Sequence, residues 1–475
     1  MKAFSAIVKL TFRSSMRSHI FQLLLALLLL CIVVIPVSIS VGKAEEFIRV
    51  SLLYSLWAVS IILSLSSLWL GCWIMSQDID NYQIHMVASK PVSRITIWLG
   101  KWTGINLINI ILLAISAVTI YGIVMFRYQS AGQESRLAER QSERVRAESE
   151  KERIRTKILV GRRSFHPTRP DFRKIVDEQI KRSVNAAANE GKRLSDDEIA
   201  GMRSELLKRL TAPVEIAPGK AFVWTFENLP LELNDTGIYL RYRPYLGKIS
   251  SEDQSNSYWL WQVAMPFINP ENKTFNVYPQ ALSQQPEMLM TGVFHEKVLP
   301  KGVITPDGKV QIMVTNFDRY GKKHYYQQAD GPQLLVPVTG FVENYLRGML
   351  VMVIQLLLLS GLACALGGIL TMPTAIFMVC SYLLFGSFSM ILTDSEFYAE
   401  SAFDHLGQFI AGVLLWGVIP LQRFDVTDLL AGGYLVEYAF IGKLFLKYFV
   451  LRGMPLFVAG ILLYCVRELG AAVRK

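Results

Sequence analysis

Several motifs that carry chemistry are missing from this chain. It contains no GxxxxGK(S/T) phosphate loop, no HExxH zinc motif, no GxSxG nucleophile elbow and no GxGxxG dinucleotide fingerprint. We therefore expect a non-catalytic protein that holds no cofactor. If the protein uses ATP, the phosphate loop has to be supplied by another polypeptide.

Cysteine is scarce, and none occurs in the polar middle of the chain. All five cysteines fall inside apolar runs, where cysteine behaves as a small hydrophobe: Cys31, Cys72, Cys364, Cys380 and Cys465. The middle of the chain therefore has no disulfide and no thiolate metal site. Two histidines of its β-rich part, His295 and His324, have no partner at metal-ligand spacing, so we expect no metal centre.

Ionisable residues are rare within the apolar runs. Glu437, Lys443 and Lys447 lie near the outer end of the last one. Transporters driven by protons or ions keep carboxylates near the bilayer midplane, so the sequence disfavours that class. The net charge of +10 comes from short loops, chain ends and a mixed-charge helical stretch, and we expect no nucleic-acid partner.

Two apolar halves flank a polar insert. A bilayer core needs about 20 apolar residues per helix. Six runs meet this requirement: 20–41, 51–75, 102–125, 346–370, 373–392 and 444–466. The first is too long for a cleaved signal peptide, so we expect it to be retained. The predicted fold class is a polytopic α-helical membrane protein with six transmembrane helices (3+3) and an inserted soluble α+β domain.

Basic residues in short loops predict how the chain is oriented in a cell inner (cytoplasmic) membrane. They concentrate before the first run, after the second run and at the C-terminus. With six spans these places share one side, which the rule makes cytoplasmic. Residues 126–340 then lie outside the cytoplasm. Residues 406–420 are apolar but short, and we interpret them as re-entrant or interfacial, because a full crossing would move the basic C-terminus outside.

The N-terminal segment mixes apolar and basic residues ahead of the first span. Phe4, Ile7, Val8, Leu10 and Phe12 alternate with lysines and arginines. This pattern predicts an amphipathic helix lying along the cytoplasmic membrane interface. The alternative is a plain basic flank that only sets topology.

The sequence divides into four segments: 1–125 with the amphipathic helix and spans one to three, 126–213 with charged helices, 214–340 with β-rich runs, and 341–475 with spans four to six. In the second segment Ser195 and Glu198 form a capping box that starts a helix. In the third, short β-rich runs separated by Pro, Gly and Asn predict a β-sandwich or jelly roll.

Aromatic residues are dense in the β-rich segment. Their density favours the core of a sandwich. The alternative is an external surface that binds glycan or lipid, for which the candidates are Trp224, Tyr242, Trp259 and Trp261.

Five sequence segments resemble one family. The loop SKPVSRITIWLGK (89–101) resembles the loop between spans two and three of exporter-type ATP-binding-cassette permeases, the type 2 class. KLTFRSSMRSHIF (9–21) is similar to their N-terminal elbow helix, and LTMPTA (370–375) to their turn between spans four and five. IPLQRFDVTDLL (419–430) and LLYCVRELG (462–470) resemble their outer re-entrant stretch and C-terminal end. The insert has no counterpart in most such permeases.

The resemblance implies half of a dimeric transporter, either a homodimer or a pair with a second permease, with a separate cytoplasmic ATPase and membrane lipids as partners. Residues Asp78 to Lys90, including Asp80, would form the coupling helix that contacts the ATPase. Pro91 would end it, Arg94 and Lys101 would flank it at the lipid headgroups, and residues 3–17 would brace the same contact.

The predicted function is the permease subunit of an ATP-driven transporter that exports substrate or does work on the cell envelope. Two alternatives stay open. One is a mechanotransmitting complex that moves its external domain without transport. The other is a membrane-anchored binding or scaffold protein without an ATPase.

Overall fold

The structure is a computed structural model. It describes residues 2–38, 44–80, 92–137, 150–168, 172–189, 194–246, 255–268, 275–328, 330–394, 412 and 416–466. The chain forms two compact units. The membrane unit comprises Met1–Gly161 and Thr339–Lys475, and the β unit comprises Arg162–Val338. Segment 126–213, one helical region by sequence, is therefore divided between the two units.

Twelve α-helices occur in the described residues. In chain order they are α1 (Lys2–Arg17), α2 (His19–Ser38), α3 (Ala44–Asp80), α4 (Arg94–Leu137), α5 (150–157), α6 (Phe172–Asn189), α7 (Asp196–Leu210), α8 (Phe341–Gly367), α9 (Met372–Asp394), α10 (Thr427–Ala431), α11 (Tyr438–Leu444) and α12 (Met454–Val466). A π-helix, Phe445–Gly453, joins α11 to α12, and 3-10 turns occupy Leu231–Asp235 and Leu421–Phe424.

Five helical segments among the described residues are long and apolar enough to cross a bilayer. They are His19–Pro36, Ala44–Gln77, Arg94–Ser130, Phe341–Gly367 and Tyr438–Val466. These match five of the six predicted runs, which confirms a multi-pass membrane protein. The remaining run, 373–392, is helical in α9, but the apolar part found there, Met372–Phe388, is shorter. The sixth span stays a prediction, and most of 406–420 lies outside the described residues.

Small residues let the membrane helices pack closely. A Cβ atom built on Gly71 of α3 would lie 2.5 Å from the Cβ of Ala363 in α8. One built on Gly367 would lie 2.8 Å from the Cα of Cys72. Helix–helix association in lipid depends on this kind of backbone approach, because burial from water supplies no driving force there.

The predicted N-terminal helix is present as α1. It packs against α4 at two glycines: Cβ atoms built on Gly100 and Gly104 would each lie 2.8 Å from side-chain atoms of Ile7 and Thr11. Thr11 and Ser15 are buried, while Leu10 is 67% exposed. The helix therefore turns its small polar residues towards the protein and keeps an apolar side uncovered.

The β unit contains eleven strands in its described residues: β1 (Val160–Phe165, which starts at the unit boundary), β2 (Val214–Ile216), β3 (Ala221–Phe226), β4 (Tyr239–Tyr242), β5 (Asn256–Ile268), β6 (Phe275–Ala281), β7 (Glu287–Met290), β8 (His295–Val298), β9 (Val310–Asn316), β10 (His324–Tyr326) and β11 (Gln333–Gly340). One sheet has the order β1-β11-β4-β8, and β2 pairs with β10. In the largest sheet, β3-β9-β5 continues to β6 and β7, which both pair with the long strand β5.

Alternation along the strands builds one hydrophobic core. Trp259, Trp261 and Val263 of β5 are buried, as are Val310, Ile312 and Val314 of the neighbouring β9. Successive side chains of a strand point to opposite faces, so each set shares one face. Buried residues of β4 and β11, from the other large sheet, belong to the same core. The β-rich segment thus forms a β-sheet unit, and its jelly-roll topology stays a prediction.

The helical prediction for the start of the insert is partly wrong. The capping box is confirmed: Ser195 caps α7, its hydroxyl accepts from the Glu198 amide, and the Glu198 side chain accepts from the Ser195 amide. Residues 160–165, however, form strand β1. Arg162, in that strand, is 3% exposed and pairs with Glu296 at 3.2 Å. A polar strand of this kind forms through long-range pairing and leaves no apolar alternation to detect.

Candidate functional site

The predicted coupling residues flank a break in the described chain. Lys90 and Pro91 lie outside the described residues. Asp78 and Asp80 are in the last turn of α3, and Arg94 is the first residue of α4. Lys101 lies two turns further along α4. The segment between residues 80 and 94 is therefore held at both ends by long apolar helices.

Lys101 is buried instead of lying among lipid headgroups. Its side chain is 6% exposed, and its Nζ amine donates a hydrogen bond to the carbonyl oxygen of Ile74 over 2.8 Å. The expectation of an interfacial position was wrong because α3 and α4 pack side by side, which lets the long side chain reach across to α3. The bond fixes the end of α3 to the start of α4.

Arg94 connects the start of α4 to the end of the last helix. Its Nη1 donates a hydrogen bond to the carbonyl oxygen of Cys465 over 2.6 Å. Cys465 is the penultimate residue of α12, where backbone carbonyls lack intrahelical partners and the helix dipole favours a cation. Arg94 therefore has a clear role in holding two helices together.

Ser76 makes the third connection. Its hydroxyl, near the end of α3, donates to the carbonyl oxygen of Gly367 over 3.1 Å. Gly367 is the last residue of α8. The ends of α3, α8 and α12 and the start of α4 thus meet at one end of the membrane unit, where α1 also packs. We call this set of contacts the joined helix ends.

A second set of polar contacts lies deeper among the spans. Asn109 donates to Ser67 over 2.7 Å, and Ser360 donates to Asn106 over 2.8 Å. Both contacts are buried and link α4 to α3 and α8. They were missed in the sequence, although two asparagines three residues apart on one face of an apolar helix are a usable signal. All four side chains are neutral, so these contacts bind helices together and do not form a proton relay.

Four aromatic residues of the β-rich segment form the core that the sequence favoured, and the alternative of an external aromatic surface is wrong. Trp224, Tyr242, Trp259 and Trp261 are 8%, 0%, 1% and 0% exposed. The indole of Trp259 donates to the Tyr242 hydroxyl over 3.2 Å, and the Tyr242 and Trp261 rings lie 4.5 Å apart between centroids. They fill the core because each buries a large apolar area and pairs favourably with its neighbours. Burial also raises the pKa of Tyr242.

One of the four, Trp224, borders a cavity in the β unit. The cavity has a volume of about 380 Å³ and is also lined by Phe172 of α6, Phe222 of β3 and Tyr326 of β10. Its walls are mainly apolar and aromatic.

Ser257, His324 and Asp318 lie together in the β unit, but their geometry is not that of a nucleophilic triad. The Ser257 hydroxyl donates to Asp318 over 2.9 Å and lies 2.7 Å from Nε2 of His324. In a triad the carboxylate would bond to the histidine and not to the serine. Asp318 also accepts from the backbone amides of Tyr320 and Lys322. The cluster is buried, and burial lowers the pKa of His324 to about 4.

The joined helix ends are therefore the candidate functional site, because they surround the one segment that the sequence associates with a partner. Their residues form hydrogen bonds to backbone carbonyls and carry no catalytic arrangement among the described residues. No protein-family model, curated protein or solved structure matches this chain.

Proposed function

We propose that the chain is the membrane permease subunit of an ATP-driven transporter of the ATP-binding-cassette type. A separate cytoplasmic ATPase would bind the segment that joins α3 to α4. In this proposal the chain has six spans in an inner membrane and works as a dimer, with the N-terminus, C-terminus and 76–101 segment in the cytoplasm. Residues 126–340 are extracytoplasmic.

The joined helix ends carry this proposal. Lys101, Arg94 and Ser76 connect the two helices on either side of the 80–94 segment to each other, to α12 and to α8. A push on the segment therefore acts on four long helices at once. An isolated loop between two weakly packed helices would absorb the same movement locally.

The buried hydrogen bonds deeper among the spans join uncharged side chains, which agrees with a transporter whose energy comes from a partner chain. The links among Asn106, Asn109, Ser67 and Ser360 contain no group that changes charge. Proton- and ion-coupled transporters rely on such groups near the membrane centre. ATP hydrolysis on a partner chain supplies energy without them.

Co-purification tests the proposal. The protein is extracted from its native membrane, and the preparation is assayed for an ATP-hydrolysing partner. We expect one to be present, and we expect Arg94→Glu and Asp78→Lys each to lower the retained ATPase activity at least tenfold. Lys443→Glu is the matched control: this lysine is exposed on α11 and lies outside the joined helix ends, so retention should be unchanged.

The outcomes separate the three functions. No ATPase partner, with unchanged behaviour in both variants, would contradict the permease and favour an anchored scaffold. A bound ATPase whose activity never moves cargo in reconstituted vesicles would favour the mechanotransmitting complex. Cysteines introduced at Ser93 and Ser149 should be labelled from opposite sides of the membrane, and labelling from one side would contradict the topology.

A further inference from the structure

A cavity of about 600 Å³ lies next to α1 in the membrane unit. Its walls come from α1, α2, α3 and α4. Four basic side chains and two tryptophans line it, and no acidic residue does among those that the structure describes: the basic set is Arg13, Arg17, His19 and Lys101, and the tryptophans are Trp69 and Trp73. A cavity of this composition selects for an anion that also has an apolar part.

The two arginines carry positive charge that no described residue neutralises. Arg13 and Arg17 lie one turn apart on α1, both are exposed, and neither forms an ion pair within the part of the chain that the structure describes. Lys101 is held at the inner wall by its bond to Ile74. Close to a bilayer, fixed cations of this kind attract anionic headgroups by about 1 kcal/mol each.

Trp69 adds an unused hydrogen-bond donor. It lines the cavity, and its indole N–H is buried without a hydrogen-bond partner among the described residues. A buried donor that lacks an acceptor is costly, so such a group usually has a partner in the working protein. A phosphate or ester oxygen is an acceptor of suitable size and charge.

Apolar side chains mark the side of the cavity that faces lipid. Leu10 of α1 is 67% exposed, and Ile20 of α2 is 40% exposed; both line the cavity. Leu23, one turn further along α2, is 65% exposed. Because α2 is one of the membrane-crossing helices, these side chains provide an uncovered apolar path leading away from the arginines.

We propose that this cavity is a binding site for an anionic phospholipid of the surrounding leaflet. The phosphate lies between Arg13 and Arg17, the Trp69 N–H donates to a phosphate or ester oxygen, and the acyl chains run along Leu10 and Ile20. The bound lipid would fix α1 against α3 and α4. This site requires only that the chain is embedded in a membrane, so it stands whether or not an ATPase binds.

Titration calorimetry with short-chain lipids tests the site on the full chain in neutral detergent. The probes are dioctanoyl phosphatidylglycerol, dioctanoyl phosphatidylcholine and glycerol 3-phosphate. We expect the anionic lipid to bind at least tenfold more tightly than either other probe. The double variant Arg13→Gln with Arg17→Gln should bind the anionic lipid about 25-fold more weakly, because the loss of each charge should lower the affinity about fivefold. Trp69→Phe, which keeps the ring and removes the N–H, should weaken it about threefold to tenfold.

Lys2→Gln with Lys9→Gln is the matched control. It removes the same charge from the same helix, but neither lysine lines the cavity, so the affinity should stay within twofold. Equal effects of the two double variants would overturn the proposal, because binding would then follow net charge alone. Equal affinity for the two lipids would also overturn it, and tight binding of glycerol 3-phosphate would assign the cavity to a soluble anion. Unchanged lipid-free melting temperatures establish that the variants fold.

Discussion

The Nζ amine of Lys101 donates a hydrogen bond to the carbonyl oxygen of Ile74, and the side chain that makes this contact is 6% exposed. Lys101→Glu would place a buried carboxylate against a carbonyl oxygen. We expect a loss of about 3 kcal/mol or more in stability, because an unpaired buried charge is strongly destabilising. The measurement is thermal unfolding of the detergent-solubilised protein.

Lys9→Glu is the comparison for that prediction. Lys9 lies on the exposed side of α1, and surface substitutions usually change stability by about 0.5 kcal/mol or less. Equal melting temperatures for Lys101→Glu and Lys9→Glu would show that Lys101 is not held in the protein interior.

The contact between α3 and α8 depends on the absence of a side chain at Gly71. A methyl group there would meet the Cβ of Ala363 at 2.5 Å and backbone atoms of Ala363 and Cys364 at 3.3 Å. We expect Gly71→Ala to destabilise the membrane unit by about 1–3 kcal/mol through overpacking. Thermal unfolding in detergent measures the change.

Gly122→Ala provides a matched control on α4. A Cβ atom at Gly122 has nothing within 4 Å, and alanine favours a helix over glycine by about 1 kcal/mol. This variant should be neutral or slightly more stable than the natural chain. A similar loss at both glycines would mean that close packing between α3 and α8 is not the cause.

His324 should make the β unit less stable in weak acid. Burial beside Ser257 and Trp259 lowers its pKa from 6.5 to about 4, and this effect outweighs the nearby charge of Asp318, which acts to raise it. The unfolded chain takes up a proton below pH 6.5, while the folded chain does so only near pH 4. The contribution of the neutral His324 ring to the free energy of unfolding is therefore fully present above pH 6.5 and is lost as the pH falls towards 4. At pH 5 the loss amounts to about 2 kcal/mol.

Hydrogen exchange at the β2 and β10 amides of the full-length protein, corrected for intrinsic rates, measures this loss between pH 7 and pH 5. His324→Gln should remove most of the pH dependence. His295, whose pKa burial also lowers, acts in the same direction, so His295→Gln should remove less of it. Protection that is independent of pH in the natural chain would contradict the assignment.

The β unit should fold as an isolated fragment of residues 160–340. It has its own hydrophobic core, and its two ends lie on β1 and β11, which are neighbours in one sheet. We expect a soluble protein with cooperative unfolding by circular dichroism. Trp261→Ala should cost about 3–5 kcal/mol, because that ring is fully buried.

Tyr320→Ala is the control for the fragment, since this ring is 81% exposed. It should change stability by about 0.5 kcal/mol or less. An insoluble fragment, or equal effects of the two substitutions, would show that the core does not support the unit alone.

Local signals in the sequence predicted the elements that depend on local interactions. Hydropathy identified five helices long enough to span a membrane, and the capping box at Ser195 identified the start of α7, because both effects act within one stretch of chain. Strand β1 was missed because its pairing with β11 and the Arg162–Glu296 contact join residues far apart in sequence.

The candidate site was predictable only in part. The family resemblance selected residues 78–101, and it placed Lys101 at the lipid headgroups. Its burial depends on how closely α3 and α4 pack, and Arg94 bonds to Cys465 from the opposite half of the chain. The density of aromatic residues correctly favoured a core. The alternative of an aromatic surface was wrong, and composition could not exclude it because composition does not tell which face of a strand is covered.

Site-specific photo-crosslinking tests the central claim most directly. A photoreactive residue replaces Ser93, which is exposed at the start of α4, and in a second variant it replaces Tyr320 on the β unit. In native membranes the probe at Ser93 should capture a protein that carries a GxxxxGK(S/T) phosphate loop, and the probe at Tyr320 should not. Capture of no ATP-binding protein at Ser93, or of the same one at Tyr320, would contradict the account.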